Sequence, residues 1–410
     1  MSNHARFSWS ASHRWLECSG SLSFKEPEGA KSSVYAERGT LMHAYAFRVL
    51  CQVLAGREVP EGSPVHFNSK TVVPVFDRTV LSDSEGFSVE ELDCVAQYVL
   101  YVVNLARSRA PCVVMLEKRV NLTEDVWGTA DAIVSNGEVL DVVDFKTGQG
   151  VRVEVKGNSQ MMGYALSALK SVNFDELGHS YPKDCTMHIV QPPLNNISSW
   201  SVWCDPTFSE TNEFDLFEDR VRGVIAEVLP HLADPSGPPA RFFAAGEDQC
   251  RFCPGKAVCR ARSRAVMQVA VDDFSLCDPA KLSPQEIAII LPQVENILEW
   301  ARSVKEHAVE QALKGEVYPG FKLVEGRSNR KWRDDIEAIE ALVESGIPVA
   351  KASRMYPITI GDAEKMLGKN HPLFREQCDK PQGKPTLVPV EDKRPEWADS
   401  IVSSFPSIAP

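Results

Sequence analysis

Between residues 112 and 146 the chain holds three short runs rich in β-branched residues: CVVMLEKRVNL (112–122), VWGTADAIVS (126–135) and EVLDVVDFK (138–146). Asn136-Gly137 joins the last two, and this dipeptide favours the tight turn that lets neighbouring strands run antiparallel. The stretch therefore predicts a three-stranded meander. Helical periodicity flanks it. Residues 39–56 read as an amphipathic helix, with Leu41, Tyr45, Val49 and Val53 on one face and Gly56 as a stop. Residues 88–109 read as a second helix, opened by Ser88 with Glu91 three residues on, a capping box. Residues 57–87 read as an irregular excursion. After the meander come a helix at 156–170, strands at 185–191 and 198–204, and an acidic helix at 208–232. This order predicts an α/β fold with one central mixed sheet flanked by helices.

Beyond residue 265 the character shifts. Ser283-Pro284-Gln285-Glu286 signals a helix start, and that helix should run to Lys314-Gly315. A strand pair is expected within 316–333, with helices near 334–345 and 361–368. From about 380, Pro, Lys, Asp and Glu dominate, which predicts a poorly ordered tail. The expected divisions are 1–265, a mainly helical 266–380, and a tail at 381–410. The net charge is −12 over 410 residues, so nucleic-acid contact through bulk charge is excluded and any such contact must be a local patch. No apolar run approaches the roughly 20 residues that span a bilayer, and the first residues lack a signal-peptide core. A soluble, cytoplasmic protein is expected.

The meander also carries the chemistry. Asp144 lies inside the apolar run Val142-Val143-Asp144-Phe145, where a carboxylate is unfavourable unless paired or bound to metal. Lys146, two residues on, shares its face, and the hairpin can bring Asp131 alongside. Two carboxylates facing one point suit Mg²⁺ or Mn²⁺, and an ammonium beside them can orient water or steady charge on a phosphate. Three of the eleven cysteines crowd together at Cys250, Cys253 and Cys259, and in an unsecreted protein such clustering points to metal rather than disulfides.

Gly128-Thr129-Ala130-Asp131 followed by Asp144-Phe145-Lys146-Thr147-Gly148 resembles the two core motifs of RecB-like nucleases in the PD-(D/E)xK superfamily. Gly39-Thr40-Leu41-Met42-His43 resembles their upstream histidine motif, and Gln160 with Tyr164 their Gln…Tyr motif. The resemblance implies a restriction-endonuclease-like core in which His43, Asp131, Asp144 and the Phe145 carbonyl hold the metal. It further implies that Lys146 is catalytic and that Gln160 and Tyr164 position DNA or the lysine. The second acid is Asp where Glu is commoner. Glu117 resembles an acidic position often seen on the preceding strand, though beside Lys118 and Arg119 it also balances charge.

One cysteine before the core and three after it is the arrangement of the iron–sulfur subgroup, which includes CRISPR-associated exonucleases and the B subunit of the AddAB helicase–nuclease. Cys18 stands in the leading position. The resemblance thus implies a [4Fe–4S] staple on Cys18, Cys250, Cys253 and Cys259, with zinc as the alternative that spacing alone leaves open. Basic patches at 251–264 (Arg251, Lys256, Arg260, Arg262, Arg264, with Phe252) and at 322–333 are candidate nucleic-acid contacts. The expectation is a phage-type or bacterial DNA exonuclease acting on single strands or ends, with a possible helicase or recombination partner. The rivals are a non-catalytic DNA-binding module, an RNA-directed hydrolase and a zinc-bound interaction protein.

Overall fold

The computed structural model describes residues 5–25, 34–68, 86–204, 212–272, 284–326, 330–352, 359–379, 384–390, 392 and 394–397. The chain forms two compact units, Met1–Lys281 and Leu282–Pro410.

In the first unit the order is α1 (Ser12–Trp15), α2 (Val34–Ala55), β1 (Pro64–Phe67), α3 (Val89–Arg109), β2 (Cys112–Asn121), β3 (Trp127–Ser135), β4 (Val139–Phe145), α4 (Ser159–Ser171), β5 (Asp184–Gln191), β6 (Asn196–Trp203), α5 (Glu213–Leu232), α6 (Glu247–Arg251) and α7 (Arg260–Asp272). The six strands form one sheet in sequence order. All neighbours are antiparallel except β4 and β5, whose parallel pairing needs the crossover that α4 supplies. The β3–β4 hairpin turns at Gly137, whose φ of 85° suits a residue without Cβ, while the Asn136 Oδ1 accepts from the Glu138 and Val139 amides. The capping box at Ser88 forms as expected, and the same Glu91 carboxylate receives Arg38 from α2, joining the two helices.

Both sheet faces are covered. Leu140, Val142, Met187 and Ile189 face α4 and α5, whereas Val143, Phe145, Ala132 and Val134 face α2 and α3. This accounts for the apolar character of β4, which has no solvent face. Asp141 is wholly buried on β4 and accepts from Arg109 Nε (2.7 Å) and His188 Nε2 (2.9 Å), while His188 Nδ1 faces the Tyr101 hydroxyl at 2.8 Å. Burial alone would raise the Asp141 carboxyl; His188 and Arg109 hold it below its ordinary value. The network ties α3 to the sheet centre.

Trp9 is fully buried against α4, with Nε1 donating to Ser167 Oγ at 2.8 Å. Gly163, one turn earlier, makes room for the indole: a Cβ there would lie 2.2 Å from two ring atoms. We expect Gly163→Ala to destabilise the protein by about 2–3 kcal/mol, because overpacking outweighs the roughly 1 kcal/mol of helix propensity gained. Urea denaturation measures this, and a variant as stable as the parent would refute the fit.

The second unit comprises α8 (Pro284–Leu313), β7 (Phe321–Glu325), β8 (Lys331–Trp332), α9 (Asp335–Glu344), α10 (Val349–Ala352), α11 (Ile360–Leu367), α12 (Leu373–Gln377), β9 (Cys378–Asp379) and β10 (Pro385–Pro389). Leu342, Ile347, Leu373 and Phe374 anchor its small core.

Three expectations need correction. The excursion at 57–87 contains β1, whose four residues pair with Cys112–Met115 of β2; residues 69–85 lie outside the described residues. β7 and β8 do not pair with each other: β7 pairs with β10 and β8 with β9. Finally, the tail expected from 381 includes β10, and Trp397 N donates to Leu323 O at 2.7 Å. Short runs bounded by proline carry little local preference, so their partners decide them. Residues 398–410 lie outside the described residues, and the shift of character read at 265 falls inside α7. No described helix is long and apolar enough to cross a membrane.

Candidate active site

Strand register assembles the site. Leu116 pairs with Ala132 and Lys118 with Ala130, so Glu117 lies opposite Asp131. The β3–β4 ladder ends at Ala132↔Val143, so one residue further brings Asp131 beside Asp144. Three carboxylates thus stand in a row across β2, β3 and β4. Glu117 has φ of 46°, the left-handed region that a non-glycine residue enters only at a cost. The kink turns over the ribbon: Val114 and Leu116 face α2 and α3, whereas beyond it Val120 faces α4. Leu116 and Glu117 therefore both project to the α2 side.

From α2, His43 Nδ1 approaches Asp131 Oδ1 at 3.2 Å. Ligand atoms of His43, Glu117 and Asp131 lie within 4.8 Å of one another, and all three residues keep some solvent access. The second Asp131 oxygen accepts from Phe145 N at 2.6 Å, which fixes the carboxylate. Below the imidazole the Phe145 ring stacks on Tyr98, centroids 4.5 Å apart. An imidazole nitrogen with two carboxylates suits Mn²⁺, and Mg²⁺ if waters complete the shell.

The neighbouring half of the site holds the amine. Lys146 Nζ lies 2.9 Å from Asp144 Oδ2 and donates to Gln160 Oε1 at 2.9 Å. Gln160 Nε2 in turn donates to Asp144 Oδ1 (3.1 Å) and the Tyr164 hydroxyl (3.0 Å). Asn158 caps α4 by accepting from the Gln160 and Met161 amides, and so aims Gln160 at the strands.

The structure thus brings His43 and Asp131 together as expected, but their third partner is Glu117, while Asp144 is engaged by Lys146 and Gln160. For Phe145 it shows the amide donating to Asp131. The resemblance offers Glu117 as an acidic position on the preceding strand, beside the plainer reading of charge balance for Lys118 and Arg119; its register opposite Asp131 is what the structure adds. Electrostatics agree with a cation site. Burial pulls the His43 imidazole down, but Asp131 overcomes this and holds it up at about 9. Burial, then Asp131, pushes Glu117 up to about 8. Asp144 is raised by burial, against the pull of Lys146. Crowded acids that resist ionisation together are what a bound cation relieves.

The four cysteines converge too. Cys18, Cys250 and Cys253 are buried, Cys259 is half-buried, and all carry free thiols. Burial raises Cys18, and Cys250 and Cys259 lie near enough to add to it. Cys18 Sγ accepts from Ala244 N at 3.4 Å, and Arg14 Nη1 donates to Phe252 O at 3.2 Å. Among the described residues, no three cysteine sulfurs lie within 4.8 Å of one another.

The two basic patches differ. In the first, Phe252 is 72% exposed beside Arg251, while Arg262 is buried. In the second, Arg330 pairs with Glu364 and Arg333 with Asp379, so these charges are neutralised locally; Arg327 lies outside the described residues.

Among solved structures, one titled "Crystal structure of SSO0001" aligns at 13% identity over 45% of this chain and 77% of that chain, with a TM-score of 0.22. Residues 4–395 match the profile of the family described as "Protein of unknown function (DUF2800)", and the chain belongs to that family.

Proposed function

We propose that this protein is a divalent-metal-dependent deoxyribonuclease of the RecB-like, PD-(D/E)xK type, an exonuclease working on single strands or ends. One observation carries the reading: a helix histidine and a row of three strand carboxylates converge beside a lysine that is clamped by an acid and an amide. His43, Glu117 and Asp131 would hold the cation, which when bound supplies Lewis-acid activation of water and neutralises phosphate charge. Asp144 and Gln160 hold the Lys146 ammonium in one orientation, ready to donate to the attacking water or a non-bridging phosphate oxygen. Tyr164 keeps Gln160 from rotating away. Cys18, Cys250, Cys253 and Cys259 would bind an iron–sulfur cluster that closes the domain, a reading supported by the approach of Cys18 to the three later cysteines.

End-labelled DNA single strands and duplexes, with RNA as a control, test the reading. Protein purified without air should shorten DNA with Mn²⁺ or Mg²⁺ and leave it intact in EDTA. Protons compete with the cation: His43, held at about 9, and Glu117, at about 8, must both be deprotonated to ligate. The cation concentration needed should therefore fall as pH rises from about 7 towards 9. Absence of DNA cleavage with either cation across this range would end the proposal.

A further inference from the structure

The β2–β3 ribbon extends beyond the carboxylate row, and among the described residues Arg119 and Asn121 at its outer end are exposed. Arg119 pairs with Thr129 and Asn121 with Trp127. Cross-strand partners share a face, as do residues two apart, so these four lie on the face of Glu117 and Asp131. Val120 and Ala130, on the opposite face, are buried towards α4. Arg119 and Asn121 are exposed, while Thr129 and Trp127 are half-buried. The Arg119 guanidinium lies over the Trp127 ring, 3.8 Å from its centroid, and among the described residues no carboxylate pairs with it. An open hollow of about 580 Å³, bounded by Arg119, Asn121, Thr123, Glu124 and Lys170, adjoins this end of the ribbon.

We infer that the Arg119–Trp127 face is a track for single-stranded nucleic acid leading away from the scissile phosphate. This inference rests on the nuclease reading and deepens it. Each two-residue step along the ribbon advances about 7 Å, comparable with the spacing of successive phosphates. One step beyond Glu117 stands a cation with no carboxylate partner among the described residues, in a chain whose net charge of −12 otherwise repels a polyanion. The next step brings an indole on which a base can stack. Arginine for phosphate and an aromatic for a base is the pairing that holds single strands without reading their sequence. A duplex keeps its bases stacked inside and offers Trp127 nothing.

The test is fluorescence anisotropy in EDTA, which stops cleavage. The full-length parent, Arg119→Ala, Trp127→Ala, Arg119→Lys and Trp127→Phe are titrated against labelled DNA and RNA single strands of about 20 nucleotides and the matching duplex. Trp127→Ala should weaken single-strand binding about tenfold or more, and Trp127→Phe should retain most of it. Arg119→Ala should lower the slope of log affinity against log salt by about one, and Arg119→Lys should restore it. Equal losses on DNA and RNA support a track blind to the 2′-hydroxyl; a loss on DNA alone supports the track and assigns its occupant. The inference is overturned if both alanine variants bind like the parent, or if only duplex binding suffers. Failure of the nuclease reading looks different: no cleavage by the parent, with single-strand binding still sensitive to Trp127. Failure of the track leaves cleavage and binding alike indifferent to both substitutions.

Discussion

Lys146→Ala should lower DNA cleavage by about a thousandfold or more while the protein stays folded. The lysine side chain is one-quarter exposed, so its removal leaves no large cavity, and Asp144 keeps its bond from Gln160. The effect should fall on turnover, with the cation requirement little changed, because Lys146 is not among the three groups facing the ion. Asp131→Asn should do the reverse. It removes charge from the residue that touches both His43 and the Phe145 amide, and so should raise the Mn²⁺ concentration needed as well as slow the reaction. Product quantification across a cation titration, with thermal melts for folding, separates these outcomes. A Lys146→Ala variant that cuts at the parental rate would remove the lysine from the mechanism.

Replacing Cys250 and Cys253 together with serine should strip the cluster and cost about 5 kcal/mol of stability, by analogy with a cross-link that closes a loop of this length. Cys18 and Cys250 bracket the whole six-stranded sheet, roughly 230 residues, so the cluster would cross-link the unfolded chain over an unusually long span. The parent, purified without air, should be brown and yield about four iron and four sulfide per chain. The double variant should be colourless, with a lower melting temperature, whereas Cys94→Ser, on α3 and outside the group, should change neither. A colourless parent containing one zinc ion would reverse the assignment of the group.

Much of the fold is legible in the sequence. The meander, its Asn-Gly turn, the capping box at Ser88 and the helix carrying Gln160 each rest on interactions within a few residues, which local sequence encodes. β1 and β10 were not legible. Each is four or five residues long, opens on a proline, and becomes a strand only through a partner distant in sequence. The same division runs through the site. His43, Asp131, Asp144, Lys146, Gln160 and Tyr164 are the candidates that the family resemblance implies, but the place of Glu117 beside His43 and Asp131 depends on register and on a backbone turned to φ of 46°.

The sequence by itself determined most of the helices and strands, because hydrophobic period, turn residues and caps act locally, and it offered the candidate site residues. Only the tertiary structure decided which three groups share a potential ion and which acid serves the lysine. It also decided that Arg119 and Trp127 continue the same face. Those choices are made by cross-strand register and by one kinked residue, and a shift of a single position would send the strand-borne side chains among them to the other side of the sheet.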